Sequence, residues 1–232
     1  MASRFVVRAI PPFLLPPQAP TAGAELDTSE LARAAAMAPA VRAVFVAGRL
    51  AQRRFAAELL GVPAGDLTAS YRCPRCGPDA GHGRPGYTLA GVPAPLVLSL
   101  SRAAGWTLLA AVTDPAPGFL LGVDVEDPAR TGFAGFAGVA LTAAEQRAVA
   151  PLHGDMLLAA QARLWARKEA WLKMTGEGLR TSPAGLDVTA LPGLADLAPA
   201  RSGLPAHLAA AVARSDGTLP ELAGDPALEQ QA

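Results

Sequence analysis

Two short stretches of this chain concentrate side chains that can do chemistry. Gly122-Val123-Asp124-Val125-Glu126 sets two carboxylates two residues apart in an otherwise apolar run. Side chains alternate across a strand, so Asp124 and Glu126 share one face while Val123 and Val125 take the other. Two acids so placed repel each other and lose hydration unless a positive charge stands between them. A divalent cation meets that need: magnesium takes oxygen ligands, commonly one or two carboxylates completed by water and a substrate phosphate. The second stretch, Trp165 to Lys173, reads as helix, with no Pro or Gly before Gly176. Trp165, Glu169, Leu172 and Lys173 come to neighbouring positions on one side, offering a third carboxylate and a cation together. Each stretch alone has an ordinary alternative. Asp124 and Glu126 would be the wet face of a half-buried strand, and Glu169 and Lys173 a surface ion pair worth a few tenths of a kcal/mol.

The elements that must position these groups are a strand from Phe119 to Glu126, stopped by Asp127-Pro128, and a long helix finished by Gly176 to Gly178. Taken together, the two stretches resemble the 4′-phosphopantetheinyl transferase superfamily. Gly122 to Glu126 is similar to its G-[IV]-D-[IV]-E signature. Trp165 to Leu179, WARKEAWLKMTGEGL, is similar to its W-x-x-K-E-[AS]-x-x-K-x-x-G-x-G-L signature at each defining position. The gap between them suits the larger, Sfp-type branch. The resemblance implies an α+β fold of two similar α/β halves related by a pseudo-twofold, each a small antiparallel-rich sheet packed by a long helix, with the active site at their interface.

What the resemblance implies for function is transfer of the 4′-phosphopantetheine arm of coenzyme A to a serine of an apo acyl or peptidyl carrier protein. Asp124, Glu126 and Glu169 would hold magnesium, Glu169 would also take the serine proton, and Lys173 would offset charge on the phosphate as the bond breaks. Gly83-Arg84-Pro85 resembles the family's G-[KR]-P motif, which gives Arg84 a coenzyme A contact. Ser99-Leu100-Ser101-Arg102-Ala103 stands where the family usually shows N-x-S-H-S, so Ser101 keeps a phosphate-contacting hydroxyl and Arg102 replaces a histidine with a permanent charge. Arg42, Arg49 and Arg53 recur along one side of a helix from about Val41 to Leu60. That stripe is either a solvated face or a phosphate-facing one, and the second reading adds Arg42 and Arg49 to the coenzyme A contacts. Lys168 belongs to the motif, with a role in orienting Glu169. The resemblance covers roughly residues 40 to 190.

Composition narrows the partners. With 20 basic and 20 acidic residues in 232, the chain is no general polyanion binder, which argues against a nucleic-acid partner. No apolar run reaches membrane-spanning length, and Arg8 and Pro11-Pro12 interrupt the N-terminus before a signal-peptide core can build up. The expectation is a soluble, cytoplasmic monomer without a membrane partner.

In chain order, Phe5 to Val7 reads as a first strand, followed by a proline-rich connector to about Ala24. Asp27 to Glu30 is a helix start, and that helix breaks near Pro39. Leu67 to Tyr71 and Pro95 to Ser101 are candidate strands separated by a Gly/Pro-rich loop from Arg72 to Gly86. Trp106 to Val112 is a further strand, and residues 113–118 form a turn-rich joint. A first unit of residues 1–113 would hold the coenzyme A contacts. A second, residues 114–190 and extending to about 215, would carry the metal strand and catalytic helix, and 216–232 would be a disordered tail. Thr142 to Glu145 is a capping box and Asp155 a cap for the long helix, while Ser182 to Val188 resembles the strand that follows in the family.

Cys73 and Cys76 form a C-x-x-C, but with His82 they supply three zinc ligands where a structural site takes four. Two other rivals are weaker still. A metal nuclease would carry an E-x-K triplet, not the E-x-x-x-K found here. A non-catalytic coenzyme A or carrier-binding protein would have lost a metal ligand, and all three are present.

Overall fold

The structure, a computed structural model, describes residues 3–12, 26–73, 77–78 and 83–218. The proline-rich connector (13–25), Cys76, His82 and residues 219–232 lie outside them.

The chain opens with strand β1 (Arg4–Ile10), helices α1 (Thr28–Ala35) and α2 (Pro39–Leu60), and short strands β2 (Leu67–Ala69), β3 (Arg72–Cys73), β4 (Gly77–Pro78), β5 (Tyr87–Leu89) and β6 (Val92–Pro93). Two long strands follow, β7 (Leu96–Ala103) and β8 (Trp106–Thr113). Ala104 and Gly105 both have positive φ, 49° and 80°, the paired left-handed geometry of a two-residue hairpin turn. It fixes the β7–β8 register, Arg102 opposite Thr107. Arg102 therefore stands inside the strand, not beyond its end as the Pro95–Ser101 expectation had it. Strands β1, β8 and β7 form one antiparallel sheet, and β2, β5 and β6 a smaller one.

Beyond the joint come β9 (Leu121–Glu126), α3 (Phe136–Ala140), α4 (Ala143–Val149), α5 (Gly154–Thr175), β10 (Leu194–Asp196), α6 (Pro199–Ser202) and β11 (Ala209–Arg214). A further antiparallel sheet runs β10, β11, β9. The fold is thus α+β, with small antiparallel sheets and several helices. Among the described residues, no helix is long and apolar enough to cross a membrane.

The two faces of β9 meet different surroundings, as alternation requires. Val123 and Val125 enter a core with Val7, Leu108, Ala110 and Val212. Gly122, Asp124 and Glu126 share the other face, and Gly122 and Asp124 meet α5, where Ala166, Ala170 and Met174 pack with Ala211 and Ala213 of β11. Small side chains let helix and sheet approach closely. A Cβ on Gly122 would lie 2.0 Å from the Ala170 carbonyl oxygen and 2.6 Å from the Met174 nitrogen, both backbone atoms that cannot yield cheaply. Gly122→Ala should push α5 off the strand and destabilise the protein by about 3 kcal/mol or more. Urea unfolding measures this, and an unchanged midpoint would contradict the close packing.

Two local expectations need correction. Asp155 lies in the first turn of α5, whose cap position is His153. Ser182 to Val188 forms no strand: residues 183–185 make a single 3-10 turn, and the Pro183 and Leu186 carbonyls accept hydrogen bonds from Lys168 instead of a ladder partner.

Candidate active site

The side chain at the centre of β9, Asp124, is 2% exposed. Its Oδ1 accepts a hydrogen bond from Ser101 Oγ at 2.6 Å and an ion-paired one from Lys173 Nζ at 2.6 Å. Lys173 also donates to Ser101 Oγ at 3.0 Å and to the Val123 carbonyl at 3.3 Å. Strands β7 and β9 lie in different sheets, and serine hydroxyls bridge them: Ser99 Oγ accepts from the Val123 N–H at 3.0 Å. Ser101 thus serves Asp124 and Lys173 in this structure. Glu169 sits one turn before Lys173 on α5, and Glu126 ends β9. Both are half-buried.

Electrostatics mark the three acids as one group. Burial raises Asp124 above the ordinary carboxylate range, with the Lys173 ammonium and the Ser101 hydroxyl opposing. Glu126 is pushed up to about 7, first by burial and then by the adjacent Asp124 carboxylate. Glu169 is raised by burial and by Asp124, against the pull of Lys173. Asp124 Oδ2 and Glu169 Oε1 are buried and receive no hydrogen bond from an N–H or hydroxyl donor.

Among the described residues, no three His, Cys, Asp or Glu side chains are drawn together as a finished metal centre. The ammonium of Lys173 instead lies against Asp124. The donor set still fits a hard cation: three carboxylates, all raised, two of them with orphaned oxygens.

These shifts fix a sign. A carboxyl whose pKa is higher folded than unfolded binds more protons in the native state, so stability falls as pH rises between the two values. For Glu126 that window runs from 4.5 to about 7. The metal-free protein should therefore melt several degrees higher near pH 5 than near pH 8, and Glu126→Gln should flatten the slope. A thermal series in chelator tests this; stability climbing with pH across the window would contradict the clustering.

Beside the acids lies a cavity of about 410 Å³ whose lining includes Arg49, Arg84, Lys173 and Arg180, with Glu177 as the acidic member. Arg84 Nη2 donates to the Met174 carbonyl at 2.6 Å, which joins the Gly83-Arg84-Pro85 segment to the end of α5. Arg49 holds its guanidinium over the rings of Phe45 and Tyr71 and donates to Gln52. A second cavity of about 380 Å³ has Glu126, Arg102, Thr131, Phe133, Val139 and Trp165 among its lining, with Phe133 and Val139 largely exposed.

The predicted residues therefore divide. Asp124, Glu126, Glu169, Lys173 and Ser101 come together, and Arg84 and Arg49 line the adjoining cavity. Arg102 is exposed as a whole residue, but its guanidinium is tucked into the space that Gly48 leaves open on α2, and it lines the second cavity. Burial and the nearby Arg49 lower its pKa. Arg42 donates to the carbonyls of Ala34, Ala35 and Met37, so it closes the C-terminal end of α1. Arg53 is buried against Asp27 and Glu30 at 2.9 and 2.7 Å, holding α1 on α2. The arginine stripe thus splits, with only Arg49 lining the cationic cavity. Lys168 is fully buried and pairs with Glu145 at 2.6 Å, so it braces α4 and not Glu169. Cys73 is buried on β3 and lines the first cavity.

Three residues escaped the sequence reading: Glu145 as a buried ion partner, and Glu177 and Arg180 as cavity lining. The capping box found Glu145 but accounts only for its Thr142 bonds, at 2.8 and 3.2 Å.

Residues 120–213 match the family model of the 4′-phosphopantetheinyl transferase superfamily. The match contains β9 and α5, hence Asp124, Glu126, Glu169 and Lys173. It covers less than half of the chain and excludes Arg84, Ser101 and Arg102. A search of curated proteins gave no match.

Proposed function

We propose that this protein transfers the 4′-phosphopantetheine group of coenzyme A to a serine of an apo acyl or peptidyl carrier protein, releasing 3′,5′-ADP. The observation that carries the reading is the pairing of Lys173 with Asp124, with Glu126 and Glu169 electrostatically coupled to them, from the two elements inside the superfamily match and beside a cavity bordered by arginines.

Asp124, Glu126 and Glu169 would hold magnesium, which when bound neutralises diphosphate charge. The chain's own groups do the rest. Arg84, Arg49 and Arg180 bind the phosphates of coenzyme A, arginine's planar fork matching their oxygens. Ser101 remains a proposed coenzyme A contact beside Lys173, and Arg102 one from the opposite face of β7 at the second cavity, while Arg42 is drawn off to α1. Glu169, kept basic by burial and a neighbouring charge, accepts the proton of the carrier serine directly or through a water. The serine oxygen forms a bond to the pantetheinyl phosphorus as the bond from that phosphorus to the bridging oxygen of 3′,5′-ADP breaks. Lys173 stabilises the charge gathering on the departing phosphate.

The carrier would dock over the second cavity, where Phe133 and Val139 are exposed beside Glu126. Two related halves, residues 1–113 and 114 to about 215, an active site between them, a cytoplasmic monomer and no nucleic-acid or membrane partner belong to the same proposal.

Mass spectrometry of apo carriers from fatty-acid, polyketide and nonribosomal-peptide synthesis, each incubated with the protein, coenzyme A and magnesium, tests it. The expected result is one phosphopantetheine added to a serine of at least one carrier. No addition to any carrier, by a protein that binds coenzyme A, would leave a non-catalytic binding protein in its place.

A further inference from the structure

We infer that Lys173 is the internal counter-ion of the acid cluster, an ammonium that a divalent cation must displace from Asp124, and that its release into the neighbouring cavity couples metal binding to phosphate binding. The inference rests on the metal reading of Asp124, Glu126 and Glu169 given above.

The geometry is that of an interlocked ion pair. Lys173 uses its three N–H bonds on Asp124 Oδ1, Ser101 Oγ and the Val123 carbonyl. Ser101 donates to the same Oδ1, so that oxygen carries two donors while Asp124 Oδ2 and Glu169 Oε1 have none. One ammonium faces three acids, of which Glu126 hydrogen-bonds Asp124, and the oxygens that no N–H or hydroxyl reaches leave the cluster short of positive charge.

The two partners differ in their freedom to move. The Asp124 side chain is 3% exposed and fixed in a central position of β9, whereas that of Lys173 is 32% exposed and borders the cationic cavity. A cation arriving at Asp124 repels the ammonium at close range, and the lysine's flexible stem can carry it only toward that cavity. There it joins Arg49, Arg84 and Arg180 as a further positive charge facing a phosphate. Metal binding therefore strengthens the anion site, and by linkage an anion in the cavity strengthens metal binding by the same factor.

Two measurements without carrier protein test this. In the wild-type protein, nitrogen-detected NMR of the lysine ammonium groups, with Lys173 assigned through Lys173→Arg, should show a protected Lys173 signal in chelator that is lost on magnesium saturation. In calorimetry, Lys173→Met should bind magnesium about tenfold more tightly than wild type, and magnesium should enhance its coenzyme A affinity less than it does in wild type, because only the direct contact of metal with diphosphate remains. A Lys173 signal unchanged at saturating magnesium, or equal magnesium affinity in the two proteins, overturns the inference while leaving the metal site standing. No magnesium uptake by either protein removes the metal reading and this inference together. Should Lys173→Met not fold, the wild-type NMR titration decides alone.

Discussion

Asp124→Asn should abolish phosphopantetheine transfer, lowering kcat by about a thousandfold or more, while the protein remains folded. Asparagine keeps the shape and can still accept from Ser101, but it removes the charge on which Lys173 rests and a cation would depend. Folding should tolerate the change, since a neutral amide at this 2% exposed position escapes the desolvation that raises Asp124, and Lys173 can turn to the cavity. Turnover at saturating magnesium, read with far-UV circular dichroism, is the measurement. Near-normal turnover would remove Asp124 from the chemistry.

The second large effect concerns stability. Lys168 and Glu145 are both wholly buried and paired at 2.6 Å, and Glu145 also accepts from the Thr142 and Val188 N–H groups. Truncating one partner strands the other's charge in the interior, a loss of about 3–5 kcal/mol. Lys168→Met and Glu145→Ala should each lower the urea midpoint accordingly. The double variant should lose less than the sum, because it leaves no lone charge. The folded fraction of Lys168→Met should still transfer, as its bonds reach Pro183, Leu186 and Glu145 and none of the three acids. A stable but inactive Lys168→Met would instead make Lys168 part of the catalytic machinery.

That pair shows where sequence reading stops. Alternation placed Asp124 and Glu126 on one face, and helical spacing brought Glu169 and Lys173 to the same side, because both are local geometry. Lys168 is one residue from Glu169, about 100° around the helix, so it points elsewhere. The identity of its partner, more than twenty residues earlier, is set by packing. The arginine stripe failed for a related reason. Spacing tells which side of α2 a residue occupies, not what stands there, and the carbonyls ending α1 and the acids of its first turn claimed Arg42 and Arg53. The contact between Arg84 and the Met174 carbonyl joins positions ninety residues apart, beyond any local signal. The absent strand after Ser182, which only the resemblance implied, shows the Pro183 carbonyl given to Lys168 and not to a ladder.

The place of β11 bears on how the site comes into being. Among the described residues, the strand bearing Asp124 finds its ladder partner only in β11, with Asp124 opposite Ala211, although α5 and everything between are made first. During synthesis at a ribosome, which proceeds from the N-terminus, β9 emerges long before the segment that pairs with it. The acids must therefore wait, without their sheet, until residues near Arg214 leave the exit tunnel. A chain stalled or cut short of that point could hold every acid of the site and still lack the frame that aligns them.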